Sequence, residues 1–133
     1  SSATVSGPIT VNVVPGSGPY NNNFLDLDDV AGVSSTNTIT INGNMDTLRR
    51  TAKVIRLTDM EFVTIKNLVV DQIVGTGDDL IALRGDCSDI TIDSCELIAG
   101  VGSTGFFAYI GVSEGGADEV TGLTFSNNKN QKG

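Results

Sequence analysis

The sequence predicts an all-β chain wound as a parallel β-helix, a solenoid of about four to five coils with three short strands per coil. Three observations predict it. A motif is written twice: Val63-Thr64-Ile65-Lys66-Asn67-Leu68 returns as Ile90-Thr91-Ile92-Asp93-Ser94-Cys95, shifted by 90 − 63 = 27 residues. Matched apolar pairs flank both copies, Ile55/Leu57 and Ile81/Leu83 upstream (81 − 55 = 26) and Leu68/Val70 and Cys95/Leu97 downstream. Each run alternates with period two and is bounded by turn residues such as Thr58-Asp59, Gly85-Asp86, Asn67 and Ser94, which is the signature of short strands. A repeat of roughly 20–50 residues is that of a solenoid.

The remaining elements follow in order. Ile9 to Val13 alternates as a strand, and Pro15-Gly16-Ser17-Gly18-Pro19 turns the chain. Leu25 and Leu27 begin the next strand, which Asp28 to Gly32 breaks. Thr38-Ile39-Thr40-Ile41-Asn42-Gly43 is a strand closed by an Asn-Gly turn, 63 − 39 = 24 residues before the central copy, with Met45 and Leu48 as its third side. Beyond the glycine-rich stretch 100–105, Phe107 to Ile110 is expected to place Ala108 and Ile110 on Ile81 and Leu83 (108 − 81 = 27). Leu123 to Asn127 repeats the motif at 123 − 90 = 33, and the extra six residues (33 − 27) are assigned to a polar loop insertion at 113–119. The inward residues are then Ile39, Ile41, Val63, Ile65, Ile90, Ile92, Leu123 and Phe125.

The 133 residues are one domain or part of one, a single β-helix segment 1–133 expected to belong to a longer solenoid or assembly. With 39% hydrophobic residues the chain is too apolar for a disordered one, and no apolar run reaches the ~18 residues of a membrane span. A net charge of −8 argues against nucleic acid as a partner, and no membrane insertion is expected. There is no histidine, and the two cysteines bracket an extended run. Eight residues at ~3.3 Å each hold the thiols roughly 26 Å apart, far beyond disulfide reach. Two free thiols are expected, with Cys95 in the place of Leu68 as a small buried hydrophobe. No metal site and no cofactor are expected.

Two resemblances rest on particular motifs. Gly7-Pro8-Ile9-Thr10-Val11-Asn12-Val13, Pro15-Gly16, Tyr20-Asn21, the run Ala31 to Gly43 with its Ser35-Thr36-Asn37-Thr38-Ile39-Thr40 core, and Phe62 to Leu68 resemble the β-helix repeat regions of large secreted surface proteins of Bacteroidota. That resemblance covers about residues 7–98. It implies a right-handed coil of the pectin-lyase-like type, exported outside the cell, and implies no reaction. Asp78-Asp79-Leu80-Ile81-Ala82-Leu83 followed by Asp89 to Cys95 is similar to the Asp-Asp segment of polygalacturonases and related glycoside hydrolases. Those enzymes add a third aspartate one coil below, a Gly-His-Gly one coil above and an Arg-Ile-Lys further on. Here Ala52 and Lys53 stand at the lower station, Gly105-Phe106-Phe107 at the upper, and the last would fall beyond Gly133.

Inverting hydrolysis needs a protonated acid and a second carboxylate about 6.5–9.5 Å away. Asp78 and Asp79 alone do not fill both roles and tune the acid. They are the candidates for hydrolysis, and the plainer expectation is a polar turn entering a strand, with Lys53 as a partly exposed partner. For a lyase, the candidate base is Arg84 beside Asp86. On the outward faces, Thr40, Thr64, Thr91 and Thr124 should form a column ~4.8 Å apart, a pattern shared by ice-binding faces and by ordinary exposed strands. Outward-facing Arg56, Ala82 and Tyr109, with Phe106 near the turn, mark a small strip for carbohydrate contact. The expected function is that of an extracellular, non-catalytic segment: a stalk, filament or adhesin repeat at the cell surface, with polysaccharide as its contact. The alternative is a fragment or degenerate member of a polysaccharide hydrolase or lyase. No helix or polar cap flanks the coils, so flanking coils or identical subunits stacked end to end are expected to cover them.

Overall fold

The computed structural model describes residues 4–73, 79–100, 110–112 and 119–132, and all regular structure among them is strand. The chain visits three parallel sheets in rotation. The first sheet holds β1 (Ile9–Asn12), β4 (Ile39–Asn42), β7 (Glu61–Lys66) and β10 (Cys87–Asp93), with β13 (Val120–Thr121) and β14 (Thr124–Ser126) both on β10. The second holds β2 (Tyr20–Asn21), β5 (Thr47–Arg50), β8 (Val69–Gln72), β11 (Glu96–Ala99) and β15 (Lys129–Lys132). The third holds β3 (Leu25–Asp28), β6 (Ile55–Thr58), β9 (Ile81–Arg84) and β12 (Ile110–Val112). No described helix is long and apolar enough to cross a membrane.

Register follows the sequence repeat. Ile39 pairs with Val63 and Val63 with Ile90, at the offsets of 24 and 27 read from the motif. Ile9 pairs with Ile39, which adds a coil of 39 − 9 = 30. Alternate side chains of each strand meet in the interior, where Val63, Ile65, Ile90, Ile92, Leu57, Ile81, Leu83, Val70 and Leu97 are fully buried. Burying one such side chain contributes about 1.5–3 kcal/mol.

Backbone turns are stacked as regularly as the core. Asp29, Asp59 and Gly85 share a left-handed backbone, as do Asn67, Ser94 and Asn127 at another corner. Aspartate and asparagine tolerate this region better than other residues with a Cβ. Glycine suits position 85: φ is +65°, and a Cβ there would lie 2.0 Å from Asp59 Oδ1, so the Asp59 carboxylate would have to shift. A third left-handed set, Phe62, Asp89 and Gly122, lies along the first sheet. In β10 this shifts the alternation, so the inward residues are Cys87, Ile90 and Ile92.

Four expectations are corrected. Phe125 pairs with Ile92 at the expected offset of 33, but it is exposed, since among the described residues no strand pairs beyond β14. Leu123 falls in the break between β13 and β14 and is also exposed. Met45 has φ +63° and an exposed side chain outside β5, so Leu48 alone supplies the third side. Ile110 pairs with Ile81, an offset of 29 rather than 27. The stretch before it is rich in glycine and aromatics, without an alternation that fixes register. Residues 113–118 of the assigned insertion lie outside the described residues, and Glu119 follows them just before β13.

Candidate functional site

Of the two aspartates, Asp78 lies outside the described residues, and Asp79 stands two residues before β9, half-buried. The 26-residue stacking of β6 under β9 places Lys53 one coil from Asp79. Val54 and Ile55 both donate their amides to the Leu80 carbonyl, 2.9 and 3.2 Å, and fix that layer. Lys53 is only 8% exposed, which corrects the expectation of a partly exposed partner. Its aliphatic stem is taken into the corner, and its carbonyl accepts Arg50 Nη1 at 2.8 Å. Arg84 ends β9 in register with Thr58, and its carbonyl accepts the Asp59 amide at 3.0 Å.

Arg56 is engaged rather than free for a ligand. Its Nε and Nη2 donate to Asp26 Oδ1 and Oδ2 at 3.0 and 2.6 Å, and its guanidinium lies 5.2 Å from the Phe24 ring centre. The paired hydrogen bond holds the Asp26 carboxyl below its ordinary range and raises Arg56. Arg50 stacks closer on the same ring, at 4.2 Å. Phe106 and Tyr109 lie outside the described residues. In the column of Arg56 and Ala82 the next residue is Gly111. Ala82, expected to face outward in the open, is fully buried: its methyl is short beside Arg56 on the neighbouring strand.

The threonine column is longer than the sequence suggests. Thr10, Thr40, Thr64, Thr91 and Thr124 are in register across five strands. Thr10 joins because its coil is longer, and an offset of 30 is hard to see beside 24 and 27.

Most other polar side chains bind one coil to the next. Asn67 Nδ2 donates to Asn42 Oδ1 and Asn42 Nδ2 to Asn12 Oδ1, both at 3.1 Å, forming an asparagine ladder. Asp59 Oδ1 accepts the Asp86 amide at 2.9 Å, and Asp86 Oδ1 accepts the Glu119 amide at 3.1 Å. Asn128 accepts the Cys95 amide and donates to the Ile92 carbonyl, each at 2.8 Å. The sequence analysis missed this set; the signal was the recurrence of Asn or Asp at the end of, or just after, strands of the first and third sheets.

Both cysteines are free and buried. Burial pushes each thiol upward, the opposite of activation. The Sγ atoms donate weakly to carbonyls of the coil below, Cys87 to Leu57 and Cys95 to Ile65, at 3.6 Å each. Among the described residues no group of three His, Cys, Asp or Glu is placed to hold a metal ion. An apolar mouth of about 390 Å³ lies at the first-coil end, lined by Val11, Val13, Leu25, Leu27, Ile41 and Leu48 among others. Comparison of the chain with protein-family models, with curated proteins and with solved structures found no match to any of them.

Proposed function

We propose that the chain is a section of a right-handed parallel β-helix whose work is structural: a non-catalytic stalk, filament or adhesin repeat outside the cell, touching polysaccharide along its outer faces and covered at its ends by adjoining coils or by copies of itself. One observation carries this reading. Among the described residues, polar side chains are engaged between coils: the asparagine ladder, the Asp59–Asp86–Glu119 series and the Arg56–Asp26 pair each join residues one coil apart. Lys53, buried at the station below Asp79, is the wrong charge for a second catalytic carboxylate.

The test pairs activity with stability. The purified chain should release no reducing ends from polygalacturonate or alginate, and Asp78→Asn with Asp79→Asn should keep the wild-type β spectrum and melting transition. Saccharide cleavage that the double variant abolishes would overturn the reading in favour of a hydrolase or lyase.

A further inference from the structure

We propose that Asn42-Gly43 is a self-modification site: a pair able to close a succinimide ring, kept shut by the strands on either side and opened by any lasting separation of them. This goes beyond the structural reading and does not rest on it. Asn42 is the one asparagine in the sequence that glycine follows. In such a pair the glycine nitrogen, with no side chain beside it, can attack the asparagine amide carbon. The bond from Gly43 N to Asn42 Cγ forms and the Cγ–Nδ2 bond breaks. Nδ2 leaves as ammonia and takes the Gly43 amide proton with it. Solvent water then opens the ring at one carbonyl or the other, which leaves aspartate or isoaspartate at position 42.

Two separate packing needs bring the pair together. Asn42 is the middle rung of the asparagine ladder. Its Nδ2 donates to Asn12 Oδ1 at 3.1 Å, and its Oδ1 accepts Asn67 Nδ2 at 3.1 Å and the Asn44 amide at 3.2 Å. Gly43 is buried, and a Cβ there would lie 2.6 Å from the Asn67 carbonyl oxygen and 2.8 Å from Leu68 Cα. Both of those atoms are backbone, so a side chain at 43 would have to push the next coil away. The stack thus keeps a reactive dipeptide at a place where neither residue is easily exchanged.

The same stack blocks the reaction. Asn42 ends β4 in an extended backbone. Ring closure needs a rotation about its Cα–C bond that carries the Gly43 nitrogen toward Cγ. The peptide unit is planar, so its C=O and N–H must swing together. A different neighbour holds each of them. The Asn42 carbonyl accepts the Val13 amide, just after β1, at 2.9 Å, and the Gly43 amide donates to the Lys66 carbonyl of β7 at 2.9 Å. The proton that has to leave Gly43 is the one shared with Lys66. On the far side the Gly43 carbonyl accepts the Asp46 amide at 2.9 Å, which fixes the turn that follows.

Opening leaves a permanent mark. Isoaspartate adds a methylene to the main chain between residues 42 and 43. That lifts Gly43 off the Asn67 and Leu68 backbone, against which it has no room to spare.

Peptide mapping by mass spectrometry, beside amide hydrogen exchange at Gly43, tests this on the whole chain. At mildly alkaline pH the folded chain should convert Asn42 more than ~100-fold more slowly than the chain unfolded in guanidinium chloride, since ring closure waits for local opening. Below the unfolding transition, added guanidinium should raise conversion and Gly43 exchange by the same factor, because one opening frees both. Asn12→Ala loosens the ladder but leaves the peptide clamp, so its two rates should keep the wild-type ratio. The wild-type comparison decides the matter if that variant fails to fold. Once denaturant is removed, chains carrying isoaspartate should not regain protection at Gly43. A smaller gap between folded and unfolded chains overturns the proposal. So does conversion that quickens without Gly43 exchange in either protein, or an isoaspartate chain that regains full protection.

Discussion

Asp93 ties the last coil to the one beneath it. Its Oδ1 accepts Ser126 Oγ at 2.7 Å and Asn127 Nδ2 at 2.9 Å, and its Oδ2 accepts Ser94 Oγ at 3.1 Å. These bonds, Ser126 first, with Lys66 on the neighbouring strand, lower the carboxyl from its ordinary 3.8. Asp26 is lowered in the same direction, chiefly by its bond to Arg56. A carboxyl depressed in the folded state stabilises the fold above the unfolded pKa, and that contribution is lost as pH falls through the folded value. The urea midpoint should therefore hold near neutrality and fall below about pH 4. Asp93→Asn should flatten part of that fall. An identical acid limb in the variant would show that Asp93 does not hold the last coil. The residues of this layer were only half legible. Asn42 and Asn67 read as turn residues from their neighbours, but their bond to each other depends on a corner geometry that no local pattern states.

At the scale of the strand, β7 and β10 carry the most consequence, since they are the longest described strands and pair with each other inside the first sheet. Ile65 is fully buried between Ile41 and Ile92, while Thr64 faces outward and half-buried between Thr40 and Thr91. Ile65→Asp should unfold the chain, because an uncompensated charge in that stack costs several kcal/mol. Thr64→Ala should cost less than about 1 kcal/mol. Equal shifts in urea melts would mean that the two faces are reversed. Strands of this kind were readable because the side-chain period is two and the coil offset nearly constant: Val63 and Ile90 announced each other. Where alternation failed, so did the reading. Ile110 was placed two residues out of register, because the glycines and aromatics before it fix no face. Phe125 was assigned to the right column but to the wrong environment, because burial there depends on a neighbour strand that the sequence pattern does not describe.

At the scale of the molecule, protection should follow position along the stack. Amides of β7 and β10 should exchange most slowly, those of β1 and β15 fastest, since edge strands open first. Hydrogen exchange would read this gradient, and uniform protection across all coils would contradict it. The near-constant offset has a further consequence for how the chain folds. Closing a loop costs entropy that rises only with the logarithm of its length, so the step from the 24-residue coil to the 33-residue coil adds about 0.3 kcal/mol. Each new strand pair therefore closes a loop of nearly the same cost, whichever coil forms first. Once two neighbouring coils have paired, each further turn meets a ready template and a similar entropic toll. The chain can then zip outward in both directions from β7 and β10, and its speed is set by forming that first pair rather than by its total length.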